Sequence, residues 1–135
     1  MTDNLIARVK CIVDPSHIDV YGHVNNSHFP GYFEKGRIAL QKLAGIEDSN
    51  LINQGYGFFV VESSYTYRKP LGENQEFEIK SRFMEKENSR FIKMNHVILS
   101  EDDEIADAIT RHMCIDLKSG YGIRTPQELL QKMFP

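Results

Sequence analysis

The sequence predicts an α+β domain in which one long helix is wrapped by a curved antiparallel sheet of about five strands. Three observations predict it. Between Leu5 and Val13 apolar and polar residues alternate, as on a half-buried strand. From about Asn26 the apolar period lengthens to three and four residues, as on one face of a helix. Beyond Gly57 the alternation returns and persists through about four segments separated by turn residues.

Leu5, Ala7, Val9, Cys11 and Val13 share one parity and are predicted to face the core, until Asp14-Pro15-Ser16 ends the strand. Phe29, Tyr32, Phe33, Gly36, Ala39, Leu40 and Leu43 define the helix face, which ends near Gly45. Asn25, Asn26 or Ser27 is the expected cap, with Pro30 in the first turn, where a missing N–H costs nothing. Gly36 on that face gives up about 1 kcal/mol of helix propensity and so predicts a close approach to the sheet. A short helix is expected between Glu47 and Gln54.

In the first long strand, Gly57 to Arg68, the residues Phe59, Val61, Tyr65 and Tyr67 are predicted to face inward. Phe77, Ile79 and Phe83 define the next strand. Arg90 to Leu99 and Ile105 to Leu117 follow, joined by the acidic turn Glu101-Asp102-Asp103-Glu104. Thr125-Pro126-Gln127-Glu128 resembles a capping box with proline at the first helical position, predicting a final helix over Glu128 to Met133.

All 135 residues fit one domain. No apolar run approaches the ~20 residues of a membrane span, and the N-terminus lacks a secretion signal, so a cytoplasmic protein with no membrane partner is expected. The net charge of −3, with acids and bases interspersed, offers no electropositive face for nucleic acid. Cys11 and Cys114 lie in apolar strands and are expected as buried free thiols. His17, His23 and His28 are spaced unlike any common zinc pattern, so neither a metal nor a cofactor is expected. His96 and His112 fall within strands, where a satisfied core or interface histidine is expected.

The stretch Asp19-Val20-Tyr21-Gly22-His23-Val24-Asn25-Asn26, followed by Phe29-Pro30-Gly31-Tyr32-Phe33-Glu34, carries the chemistry. It resembles the signature of hotdog-fold acyl-CoA thioesterases of the 4-hydroxybenzoyl-CoA thioesterase-like family. The resemblance runs from Val9 to about Asp116. It implies that Asp19 is the nucleophile or general base that attacks or hydrates a thioester, and that Gly22 lets the loop turn tightly against the helix. His23 and Asn25 match polar positions of the active-site network. The sequence departs from the pattern at Tyr21, where an asparagine is usual in one branch, and at His17, where many relatives carry an acidic residue.

Physical chemistry supplies the other half of that site, since the start of a helix offers unpaired N–H groups and a partial positive charge for a developing oxyanion. The amides near Asn25 and Asn26 are the expected donors. Glu62 is a candidate second carboxylate. Arg68 and Lys69 are candidates for the phosphates of coenzyme A, and so are Lys86 and Arg90, in the turn where the resemblance implies basic residues. The expected function is hydrolysis of an acyl-CoA thioester at a site between two protomers of a homodimer or homotetramer. The alternatives are an acyl-carrier-protein thioesterase and a non-catalytic acyl-thioester binder.

Overall fold

The computed structural model describes residues 5–84, 88 and 90–135. In chain order these form β1 (Ile6–Ile12), α1 (Phe29–Ala44), α2 (Asp48–Asn53), β2 (Tyr56–Tyr67), β3 (Glu76–Phe83), β4 (Phe91–Ser100), β5 (Asp103–Asp116), β6 (Gly122–Ile123) and α3 (Gln127–Met133). The five long strands make one antiparallel sheet in the order β1-β3-β4-β5-β2, and the two-residue β6 pairs with the end of β5 as a sixth strand. Helix α1 packs against β1, β3 and β4. This is the predicted hotdog architecture, with one strand more.

Helix α1 forms where expected because one face is apolar and Gly45, at φ +77°, caps its C-terminus. Phe29, Tyr32, Phe33, Gly36 and Leu40 are buried, whereas Leu43, predicted inward, is 52 % exposed and its neighbour Ala44 packs against the core instead. At Gly36 the close approach is real. A Cβ there would overlap Ser81 Oγ and lie 2.9 Å from Ile79 Cγ2. Asn25 caps a 3-10 turn (Asn26–His28) that feeds directly into α1, and its side chain accepts from the Ser27 amide.

Two local predictions fail for identifiable reasons. Pro126 lies just outside α3 in an extended conformation and Thr125 Oγ1 is buried without a partner among the described residues, so no capping box forms there. In β2 a bulge at Val61 breaks the register between Val60↔His112 and Glu62↔Arg111. Phe58, opposite buried Cys114, therefore takes the inward place predicted for Phe59, which is 51 % exposed. The inward parity passes from Phe58 and Val60 to Ser63, Tyr65 and Tyr67 across the bulge. The turn between β4 and β5 is tight enough that Glu101 and Asp102 both adopt positive φ (52° and 68°).

The core contains a polar chain. Ser81 Oγ lies 2.6 Å from His96 Nδ1, His96 Nε2 lies 2.9 Å from Thr110 Oγ1, and Thr110 Oγ1 lies 2.7 Å from His112 Nε2. Both histidines are fully buried. Burial, followed by the charge of Arg37, lowers His96 to about 4; burial, followed by His96 and Arg37, lowers His112 to about 3. Cys114 is a buried free thiol pushed up to about 11 by that burial, while Cys11 is only partly covered.

Candidate active site

Residues 17–25 fold into a small hairpin just ahead of α1. Ile18 bridges Val24, the Asp19 amide donates to the His23 carbonyl (3.0 Å), and the Asn25 amide donates to the His17 carbonyl (3.0 Å). A further bridge from His23 to Gly72 and a bond from the Val24 amide to the Leu71 carbonyl pin this hairpin to the chain entering β3. Its tip is a four-residue turn closed by the Gly22 amide on the Asp19 carbonyl (3.0 Å). Gly22 has φ +79°, so the turn needs glycine for its backbone conformation rather than for space.

Asp19 is held at both oxygens. Oδ2 accepts from Asn25 Nδ2 (2.9 Å) and Oδ1 accepts from the Tyr21 amide (2.9 Å). These two bonds, the Asn25 one foremost, hold its carboxyl below the usual carboxylate range, and the charge of nearby His23 acts in the same direction. His23 is exposed, and its main chain rather than its ring makes the bridges of the hairpin. Asn25 links the two halves of the site. Its Nδ2 holds Asp19 while its Oδ1 caps the turn leading into α1.

The expected oxyanion donors separate here. The Asn25 amide is consumed by the His17 carbonyl and the Ser27 amide by the Asn25 side chain, so the expectation for Asn25 is corrected. Among the described residues the Asn26 amide carries no hydrogen bond, and Asn26 lines an open cleft of about 290 Å³ with Val24, Phe29, Tyr67, Arg68 and Lys69. The cleft thus brings Asn26, at the head of the 3-10 turn that feeds α1, together with two cations. Arg68 contacts Asp107 (3.0 Å) and Glu104 (3.4 Å), and Lys69 contacts Asp103 (3.0 Å), all of these side chains substantially solvent-accessible.

A second recess of about 160 Å³ continues between α1 and β2. Phe33 stacked on Tyr65, Val60 and Ser63 line it, with His96 and Thr110 of the buried polar chain. Period-two alternation in β4 already puts His96 in phase with Ile92, Met94 and Ile98, so its burial was legible in the sequence. Its partners Ser81 and Thr110 come from other strands and were not.

Glu62 does not join this constellation. Beyond the bulge it sits opposite Arg111 on the sheet face away from α1, 3.9 Å from that guanidinium and largely exposed. Arg90 precedes β4 at the end of the sheet opposite to the hairpin. Phe91 pairs with Met113, whereas the far end of β4 pairs with the start of β5. Ten residues of strand separate the two ends, on the order of 30 Å. Lys86 lies outside the described residues.

Comparison with known proteins fixes the family. A model of the thioesterase-like superfamily matches residues 13–133. The chain belongs to that superfamily. Membership places its chemistry in thioester hydrolysis, the class expected from the Asp19 motif. The chain is similar to the long-chain acyl-CoA thioesterase FadM of Escherichia coli, 28 % identical over 122 residues covering 87 % of this chain and 89 % of that one. Among solved structures it is similar to the probable thioesterase YbaW of Escherichia coli (TM-score 0.81, 26 % identity, 96 % and 99 % of the two chains). It shares its fold with SAV2348 of Staphylococcus aureus, solved in complex with CoA (TM-score 0.88, 14 % identity, 99 % and 85 % of the chains). Two further features of this thioesterase-like chain are that no described helix is long and apolar enough to cross a membrane, and that no described cluster of three His, Cys, Asp or Glu side chains could hold a metal.

Proposed function

We propose that this protein hydrolyses acyl-CoA thioesters, with Asp19 as the group that attacks the carbonyl carbon. The observation that carries this reading is the doubly anchored Asp19 carboxylate joined through Asn25 to the 3-10 turn that feeds α1, where the Asn26 amide carries no hydrogen bond among the described residues. A thioester carbonyl seated between them meets a nucleophile on one side. On the other it meets an N–H and the positive end of the helix, where negative charge develops. Asp19 adds to the carbonyl carbon, the CoA thiolate leaves, and water opens the resulting acyl-aspartate anhydride to free acid.

The cleft chemistry favours CoA over a carrier protein as the acyl donor. Exposed ion pairs such as those of Arg68 and Lys69 are worth about 0–1 kcal/mol, so a phosphate displaces their acidic partners at little cost. A carrier protein, large and acidic, would instead meet the acidic turn Glu101–Glu104 beside those cations.

The reading includes a second copy of the chain. β2 is an edge strand in which Phe59, Val60, Val61 and Tyr67 are each 42–51 % exposed, an edge that invites pairing. Two copies paired antiparallel along β2 align the Tyr67 end of one with the Tyr56 end of the other. β4 of the partner also begins at the Tyr56 end, so a second Arg90 comes within about three strand spacings, roughly 15 Å, of this cleft. Arg90 then serves the nucleotide across the interface.

The test is turnover of butyryl-, benzoyl- and palmitoyl-CoA by wild type and Asp19→Ala. Asp19→Ala should lose at least ~100-fold in kcat with the fold and oligomer intact. Activity within a few-fold of wild type would refute the assignment. Single turnover in ¹⁸O-water bears on the route: label entering the Asp19 carboxyl marks an anhydride opened at the aspartyl carbon, whereas label in the product alone fits either general-base attack or opening at the acyl carbon, which trapping of an acyl-enzyme with hydroxylamine separates.

A further inference from the structure

His17 stands at the base of the Asp19 hairpin, and the chemistry proposed above makes no use of its ring. Its main chain closes the hairpin by accepting from the Asn25 amide, the same residue whose side chain holds Asp19. Its ring reaches the other way. Nδ1 lies 2.7 Å from Tyr32 Oη, and the imidazole stacks on His28 with centroids 4.0 Å apart and planes 15° apart. Tyr32 sits in the first turn of α1, only 4 % exposed, with the rings of Phe29 and Phe77 against it. The His17 ring thus clamps the hairpin bearing the carboxylate to the helix whose start faces the carbonyl oxygen.

We propose that His17, in its neutral form, is the positioning residue that holds Asp19 in register with the N-terminus of α1. This rests on the reading of Asp19 as the reacting group. The clamp depends on protonation through hydrogen-bond direction. A neutral ring with its proton on Nε2 accepts the Tyr32 hydroxyl at Nδ1, and that hydroxyl is largely shielded from water. A protonated ring is a donor at both nitrogens, so the Tyr32 hydroxyl must turn its proton toward apolar rings. A charge on His17 would also lie stacked against His28. The clamp is therefore made by a ring that accepts the Tyr32 hydroxyl at Nδ1 and stacks on His28.

The experiment measures kcat and KM from pH 5 to 9 on butyryl-, benzoyl- and palmitoyl-CoA for wild type, His17→Ala, His17→Asn, Tyr32→Phe and Asp19→Ala, with a melting curve for each. His17→Ala should lose about 10- to 100-fold in kcat with KM within twofold. His17→Asn can still hydrogen-bond Tyr32, so it should approach wild-type kcat. Tyr32→Phe, which keeps the aromatic ring, should repeat the kcat-selective loss and serves if His17→Ala does not fold. Wild-type kcat in both His17→Ala and Tyr32→Phe, or a kcat in His17→Asn no better than in His17→Ala, would overturn the inference while an inactive Asp19→Ala leaves the thioesterase reading standing. An active Asp19→Ala, or no turnover by wild type, overturns both.

Discussion

Acid should weaken this fold well above the pH at which its carboxylates titrate, because the two buried histidines of the polar chain have no room for another proton. In the sequence Ser81–His96–Thr110–His112 both nitrogens of His96 are engaged, and His112 Nδ1 is buried without a partner among the described residues. Protonating His96 makes its ring a donor to both hydroxyls, and protonating His112 leaves a buried N–H unpaired. Folded values of about 4 for His96 and about 3 for His112 lie below the unfolded value near 6.5. The unfolded chain therefore binds more protons, and stability is complete above pH 6.5 and lost as pH falls toward the folded values. At pH 5 each histidine has cost 1.5 units at about 1.36 kcal/mol per unit, so the pair removes about 4 kcal/mol relative to pH 8. That is a large share of the ~5–15 kcal/mol typical of a domain. Asp14 and Asp19, whose carboxyls are held below their usual range, act in a lower window, below about pH 4. Urea unfolding at fixed protein concentration between pH 8 and 5 reads the slope. Wild type should lose about 1.4 kcal/mol per pH unit per histidine below pH 6, and His112→Gln should lose about half the wild-type slope whatever its absolute stability. A flat wild-type profile, or equal slopes for the two proteins, would refute the protonation argument.

Gly36→Ala should destabilise the protein by about 1–3 kcal/mol in denaturant, since the overlap with Ser81 and Ile79 outweighs the ~1 kcal/mol of gained helix propensity; unchanged stability would show that the sheet yields there. Val61→Lys, at the bulge of the exposed β2 edge, should shift light scattering toward monomer at low micromolar concentration, and a wild type that is itself monomeric would remove the proposed interface. Arg68→Ala and Lys69→Ala should each raise KM for acyl-CoA by up to about fivefold, roughly 1 kcal/mol of exposed contact, with kcat little changed. Equal KM values in the double mutant would move the nucleotide away from this cleft.

The sequence by itself determined the elements of this protein and singled out the motif proposed to react. Period two and period 3.6 are local consequences of burying one face of a strand or a helix, so β1, α1, β3, β4 and β5 could be read directly. Gly36 was legible as a close approach because a helix-weakening residue on a buried face needs a compensating contact. Asp19, Gly22 and Asn25 were singled out by the resemblance of their motif, while the reversing loop they form ahead of the helix was legible because such a loop draws on few residue types. Tertiary structure decided which of these groups meet. The bulge at Val61 is a register event between β2 and β5, invisible along one strand, and it sent Glu62 to the outer face and exchanged Phe59 for Phe58. Which amide at the start of α1 stayed free depended on the His17 carbonyl, eight residues earlier, taking Asn25 and leaving Asn26. The pairing of His17 with Tyr32 and the four-residue polar chain through His96 have the same character. Each hydrogen bond joins residues from different elements, and a hydrogen bond is set by a distance in space that no local periodicity encodes.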